Sequence, residues 1–231
     1  MMTISVRSVS AQNGGSEAVV KIRLNSGDNF EDKIFVLSMQ SYAELRVEKG
    51  EISEERFDEL QRAAEIYSAL KRGMNILGYG SCSERNLVLK LRSKGISRDI
   101  AQEAAKLLCA RGYINEREDA CREAERCVKK YWGARRIEAQ LYSKGYSSEA
   151  IDAALDSLGN VDFVALCSEL ISKRFAEPRD ETEKKRLFAS LMRYGYSSSQ
   201  IKRAIEKIKS EDKTPLYEGR FDFFFYTINN N

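Results

Sequence analysis

The stretch Leu141-Tyr142-Ser143-Lys144-Gly145-Tyr146-Ser147-Ser148-Glu149-Ala150-Ile151 decides the fold. It reads as the end of one helix, a tight turn and the start of the next. Gly145 can take the left-handed conformation that closes a helix, where a Cβ would be penalised. Ser147 carries a hydroxyl able to cap the following helix by accepting a bond from an orphan N–H. With Ser147 as cap, Tyr146 and Ile151 occupy the two positions of a hydrophobic staple. The same device recurs over Leu91–Ala101 and Leu191–Ile201, and its glycines, Gly95, Gly145 and Gly195, are spaced by 50 residues.

Working outward from the turn, the register holds at the apolar positions. Leu87, Ile137 and Leu187 correspond, as do Leu91, Leu141 and Leu191. Ala104, Ala154 and Ala204 form a third set, and Leu108, Leu158 and Ile208 a fourth. A short helical unit cannot bury its apolar face alone, so repetition at a fixed spacing predicts a stacked array. Each unit has a further helix ahead of its hairpin. In the second it is Asn115–Lys130, opened by an Asn115/Glu118 capping box, and in the third Asp162–Arg174, followed by a Pro178 linker. Asp180 and Glu183 form another box. In the first unit the role falls to the end of a long segment that Ser53 caps and that runs to about Leu77.

Upstream of the repeats the period changes from helical to alternating. Thr3–Ser10, Glu17–Leu24 and Asn29–Leu37 read as three strands, joined through Asn13-Gly14-Gly15 and Asn25–Asp28. Three strands need a covered face, so a helix is expected on this meander. Ser38–Val47 reads as a short helix ending near Lys49-Gly50. The predicted fold is mainly α, with tandem three-helix repeats in a curved array and a small N-terminal antiparallel β meander. The boundaries are 1–50 for the meander and short helix, 51–112, 113–159 and 160–210 for the repeats, and 211–231 for an aromatic tail. The tail's cluster (Phe221, Phe223, Phe224, Phe225, Tyr226) could dock on the last repeat or remain mobile.

Composition removes whole classes of chemistry. The chain of 231 residues has no histidine, hence no Ser-His or Cys-His arrangement and no imidazole metal ligand. Its five cysteines form no CxxC pair and are odd in number, which argues against a disulfide framework or zinc site and for reduced, partly buried thiols. No glycine-rich loop has the P-loop pattern. Its many carboxylates interleave with Lys and Arg as on solvated helix faces. No segment approaches the roughly 18 apolar residues of a membrane span, and no signal peptide is apparent. The residues argue for a binding protein in the cytoplasm, without catalytic residues, cofactor, metal or membrane.

Charge is unevenly placed. Residues 1–80 carry 10 basic and 12 acidic side chains, residues 81–210 carry 26 and 19, and residues 211–231 carry 2 and 4. The basic side chains gather in three groups. Lys90, Arg92, Lys94 and Arg98 form one. Lys129, Lys130, Arg135, Arg136 and Lys144 form the second. Lys184, Lys185, Arg186, Arg193, Lys202 and Arg203 form the third. Arg85, Arg135 and Lys185 are themselves 50 apart, two residues before the buried apolar set and so about 200° away around the helix. An outward row of cations suits a repeating polymer, a nucleic-acid backbone or a protein filament. It equally suits a solvated surface. Tyr131-Trp132 could stack on bases, but the favoured reading is that it seals a corner between helices.

Three signatures then carry a resemblance. One is Arg111-Gly-Tyr-Ile-Asn-Glu116 with Ala120. Another is Gly133-Ala-Arg-Arg-Ile137 followed by Gln140-Leu141 and Lys144-Gly145. The last is Ile151 with Ala154-Leu155. Their order, together with the triple glycine register over residues 66–209, resembles the RecX family, small regulators of the RecA recombinase. Asp119 departs from the aromatic that the family usually has before its alanine. The resemblance implies a curved helical array lying in the groove of the RecA–DNA filament. There it would limit ATP hydrolysis and strand exchange, by capping growth or promoting disassembly. The implied partners are RecA and DNA, single-stranded or double-stranded, with the chain itself a monomer. The expected contact residues are Arg135, Arg136 and Lys144 first. Lys90, Lys94 and Lys185 come next, with Lys129, Lys130 and Arg186 beside them. The alternative is a helical-repeat protein that binds DNA directly through the same basic face.

Overall fold

Alternation of apolar and polar residues produces the first three elements of the structure, a computed structural model that describes residues 2–27 and 29–211. β1 (Met2–Gln12) and β2 (Glu17–Ser26) form an antiparallel hairpin with Ile4 opposite Leu24 and Val6 opposite Ile22. A 3₁₀ turn at Asn13–Gly15 joins them, with Gly14 at φ 65°. A bulge between Val6 and Ser8 restores the alternation further along. β3 (Asn29–Ser38) pairs with β2, Phe35 opposite Val20 and Leu37 opposite Ala18.

A fourth strand, β4 (Gly50–Ile52), adds to β1 and gives the sheet order β3-β2-β1-β4. The sequence reading took Lys49-Gly50 as a helix end. Three residues are too few to display a period of two, and the short helix α1 (Met39–Glu44) in fact ends sooner. Ser38 opens α1, its hydroxyl accepting from the Ser41 N–H at 3.0 Å.

The expected helix covers the sheet. α2 (Glu54–Gly78) starts at Ser53, whose Oγ accepts from the Arg56 N–H at 3.2 Å. Its first half lays Phe57 and Leu60 onto Ile4, Val6, Val20, Ile22, Phe35 and Leu37. Its second half carries Ala69, Leu70 and the buried Gly73 into a separate core. That core is completed by α3 (Glu84–Ser93) and α4 (Arg98–Ala110) through Leu87, Leu91, Ala101, Ala104 and Leu108. Full burial of each leucine contributes roughly 1.5–3 kcal/mol. A Cβ at Gly73 would lie 2.6 Å from Leu108 Cδ1, so this helix crossing needs the missing side chain.

The remaining helices are α5 (Glu116–Val128), α6 (Ala134–Ser143), α7 (Ser148–Ser157), α8 (Phe163–Arg174), α9 (Glu181–Arg193) and α10 (Ser198–Glu211). Their start signals work as read. The Glu118 N–H donates to Asn115 Oδ1 at 3.2 Å, and Asp162 Oδ1 takes the Val164 and Ala165 N–H groups at 2.9 and 3.0 Å. The Glu183 N–H donates to Asp180 Oδ1 at 2.7 Å, while the Arg179 N–H donates to Glu183 Oε2 at 2.8 Å. The register positions Leu87, Ile137, Leu91, Leu141, Leu191 and all three alanines are fully buried, and Leu187 is nearly so.

The architecture is therefore mainly helical with a small antiparallel sheet. The chain groups into two compact units, residues 1–120 with 142–150, and residues 121–141 with 151–231. Among the described residues, no helix is long and apolar enough to cross a membrane. The aromatic cluster Phe221–Tyr226 lies outside the described residues.

Candidate functional site

The glycine turns position the basic groups, and they do so by one repeated joint. Gly95, Gly145 and Gly195 all have left-handed φ, at 84°, 76° and 94°. At the first and last turns the two bonds of a Schellman motif are present. The Gly95 N–H reaches the Arg92 carbonyl and the Ile96 N–H the Leu91 carbonyl, and Gly195 and Tyr196 repeat this with Met192 and Leu191.

The residue before the second and third glycines offers its carbonyl to the start of a helix 61 residues upstream. In the first unit the Ser83 hydroxyl donates to the Lys144 carbonyl at 2.7 Å. In the second unit the Gly133 N–H donates to the Tyr194 carbonyl at 2.8 Å. Ser83 and Gly133 are themselves 50 apart, so the two joints are one device at successive registers. In the first unit Glu116 adds a clamp. Its carboxylate accepts from the Glu84 N–H at 2.8 Å and from the Ser147 N–H at 3.0 Å, an anion set against two backbone donors beside helix starts.

The joint in the second unit builds a cationic corner. The chain leaves α5 through Tyr131, which is held at φ 60°, an uncommon conformation for a residue with a Cβ. Three contacts hold it there. The buried Tyr196 hydroxyl donates to the Tyr131 carbonyl at 2.8 Å. The Tyr131 hydroxyl donates to Glu169 Oε1 at 3.0 Å, and Lys173 Nζ donates to both at 2.8 and 2.7 Å. The Lys173 ammonium and the Tyr131 hydroxyl hold the Glu169 carboxyl below its usual range.

Trp132 follows, half-buried, with the Arg136 guanidinium 4.0 Å from its ring centre and the Lys130 ammonium at 5.5 Å. Arg136 also lies 5.4 Å from the Tyr194 ring. Lys129 and Arg135 are exposed on either side. The favoured corner reading of Tyr131-Trp132 thus matches the geometry, with Arg136 seated on the indole. Trp132 brings Lys130 and Arg136 together. Lys185 and Arg186 stand exposed on the first half of α9. The corner also recruits Arg174, 5.8 Å from the Tyr131 ring, which the sequence reading did not select. Its only signal was a place in the last turn of α8, facing an aromatic distant in sequence.

In the first unit none of the expected cations lines the groove found there. Lys90 and Lys94 are exposed on and just after α3, the Lys94 carbonyl accepting from Arg72 Nη1 at 3.3 Å. Lys144 is half-buried in the turn. A shallow groove of about 700 Å³ is instead lined by Arg85, Arg92, Arg98 and Lys106, with Val88 and Tyr142. Arg85, Arg135 and Lys185 are all exposed, as their register requires.

The five cysteines are free thiols. Burial pushes Cys167 up to about 12, and burial with the neighbouring Glu84 pushes Cys109 up to about 11. Among the described residues, no group of three or more acidic or thiol side chains is placed to hold a metal ion.

Helical hairpins built on a repeated glycine turn, with a small antiparallel sheet and exposed cationic side chains, define a mainly helical repeat protein. The chain belongs to the RecX family. It is 30% identical over 141 residues to Regulatory protein RecX of Stenotrophomonas maltophilia (strain R551-3), covering 58% of this chain and 83% of that protein. It is also 30% identical over 145 residues to Regulatory protein RecX of Xanthomonas axonopodis pv. citri (strain 306), covering 62% and 88%. A crystal structure of regulatory protein RecX shares the fold with a TM-score of 0.70 at 20% identity, over 90% of this chain and 99% of that one. RecX from Lactobacillus salivarius gives 0.56 at 21%, over 63% and 97%. No family model matches the chain.

Proposed function

We propose that the chain is a non-catalytic cytoplasmic regulator of the RecA recombinase, binding the RecA–DNA filament and lowering its ATPase and strand-exchange activity. Support comes from its place in the RecX family and from one feature of the structure. Lys130 and Arg136 lie against one aromatic corner, with the Arg136 guanidinium seated over Trp132, and Lys129 and Arg135 are their exposed neighbours in sequence. Preorganised cations suit a polyanionic or acidic partner, because less side-chain freedom is lost on binding. Lys144, Lys90, Lys94, Lys185 and Arg186 extend the contact in this proposal.

The test is a titration of RecA ATPase and strand exchange with free DNA in excess. Inhibition at less than one chain per RecA protomer is the expected result, weakened roughly tenfold or more by Arg135→Ala/Arg136→Ala. Inhibition that vanishes when DNA is in excess sinks the filament reading. It would favour the second one, direct DNA binding, for which the half-exposed Trp132 beside Lys130 speaks. In that case log affinity falls with log salt at a slope of about −0.9 per neutralised duplex phosphate, or about −0.7 on single strands.

A further inference from the structure

The sheet ends on one side in β4, three residues long, and on the other in β3, ten residues long. Among the described residues β3 pairs with β2 alone, in an unbroken register from Ser26 opposite Asn29 to Glu17 opposite Ser38. It has no proline and no bulge. A long, regular edge of this kind is a template for a further strand.

The side chains of β3 say which strand fits. Phe35 and Leu37 point into the core under α2. Alternation sends Phe30, Asp32 and Ile34 to the opposite face, where Phe30 is 65% and Ile34 61% exposed. Two large apolar side chains four residues apart at a sheet edge lack an apolar neighbour beyond that edge. On the same face, Asp32 takes two bonds from Arg23, at 2.7 and 2.9 Å, and Arg23 covers one side of the Phe30 ring at 4.5 Å.

The strand is complementary to itself. A two-fold axis normal to the sheet must pass through one residue of an antiparallel edge pair. With the axis at Asp32, Phe30 faces Ile34 of the second copy and Glu31 faces Lys33 of the second copy, each pair occurring twice. The two Asp32 side chains meet, each already neutralised by its own Arg23. An axis at Glu31 sets Phe30 against Asp32 and Glu31 against itself. At Lys33 it sets Lys33 against itself and Asp32 against Ile34. At Ile34 it sets Asp32 against Val36 and Lys33 against Phe35. Of these, the axis at Asp32 alone matches apolar with apolar and opposite charge with opposite charge.

We infer that β3 is a self-association edge, through which two copies of this chain join their sheets antiparallel with the axis at Asp32. The contact is isologous and weak, pairing about seven residues of β3 per copy, from Asn29 to Phe35, where stable interfaces use roughly 20–30 a side. On this proposal the chain forms a concentration-dependent dimer, where the resemblance implies a monomer. On a repeating polymer it would double the number of basic faces held by one particle. It does not depend on the RecA reading.

Sedimentation of the full chain up to about 1 mM tests it. A reversible dimer is expected. Glu31→Lys places like charges together twice and raises the dissociation constant roughly tenfold or more, and Ile34→Lys abolishes the dimer. Glu31→Lys/Lys33→Glu restores it, which a general loss of folding could not do. Thermal melts of Glu31→Lys and Ile34→Lys should match the parent, both sites being exposed. A parent that stays monomeric throughout overturns the inference and leaves the edge to a strand of another protein. A dimer indifferent to Ile34→Lys, or a charge reversal that fails to rescue, overturns it as well.

Discussion

Alanine at Gly95, Gly145 and Gly195 should have three different effects, although the glycines are equivalent by register. All three have left-handed φ, so each substitution costs roughly 1–2 kcal/mol from backbone strain alone. A Cβ at Gly95 meets nothing within 4 Å, and strain should be the whole effect. At Gly145 the new atom falls 3.1 Å from Ser83 Oγ and 3.4 Å from Arg85 Cβ. Those atoms must yield by a few tenths of an ångström, which loosens the Ser83–Lys144 bond and adds about 1 kcal/mol. At Gly195 the Cβ would lie 2.5 Å from the Arg136 backbone nitrogen and Cβ, and 2.8 Å from the Gly133 carbonyl oxygen. Backbone cannot step aside locally, so the joint must open. The Gly133–Tyr194 bond and part of the packing of the buried Tyr196 go with it, for about 3–5 kcal/mol in all. Urea unfolding reads this directly, because Trp132, the single tryptophan of the chain, sits at the Gly195 joint. Its emission should shift at lower urea in Gly195→Ala, while far-UV dichroism follows the other two variants. Equal losses at all three positions would refute the joint, leaving only a local turn.

Glu116→Ala removes the acceptor of the Glu84 and Ser147 N–H groups and should cost about 2 kcal/mol, measured by the same unfolding curves. The Glu17 carboxyl takes bonds from Lys71 Nζ at 2.6 Å and the Tyr67 hydroxyl at 2.9 Å, which hold it below its ordinary value of 4.5. A carboxyl depressed on folding contributes stability that is complete above 4.5 and is lost as pH falls through its folded value. Thermal melts between pH 6 and about 3 should therefore lose less in Glu17→Gln than in the parent. Cys167, fully buried and with its thiol raised by that burial, should react with a disulfide reagent at pH 8 only as fast as the chain opens, so its labelling should track the unfolding rate. Rapid native labelling of Cys167 would contradict its burial.

Where the sequence spoke through local chemistry, it was readable. Ser38, Ser53, Asn115, Asp162 and Asp180 open helices because a short polar side chain at that position has few better uses. The 50-residue register named the buried leucines and alanines for the same reason, since each unit solves the same packing problem. β4 was not readable, because it is a strand only by pairing with β1. The cationic corner was half readable. Lys129, Lys130, Arg135 and Arg136 are close in sequence, but Glu169 and Arg174 reach it from α8 and Tyr194 and Tyr196 from the turn after α9. The groove in the first unit shows the same limit. Lys90 shares α3 with Arg85 and Arg92, yet helical phase, which a cluster count ignores, puts only the two arginines among the residues that line it.

The discontinuity of the first unit has a consequence during synthesis. Its segment 142–150 follows residues that belong to the second unit. Ser83 and Glu116 are therefore made well before Lys144 and Ser147, their partners, exist. At roughly 5–20 residues per second, the interval between residues 120 and 150 lasts about 2–6 s. During it the sheet, α2, α3 and α4 can assemble, while the Ser83 hydroxyl and one arm of the Glu116 carboxylate wait for a chain not yet made. A ribosome that pauses within residues 121–141 would lengthen that interval, and the nascent chain would be most exposed to proteolysis at the α4–α5 connection.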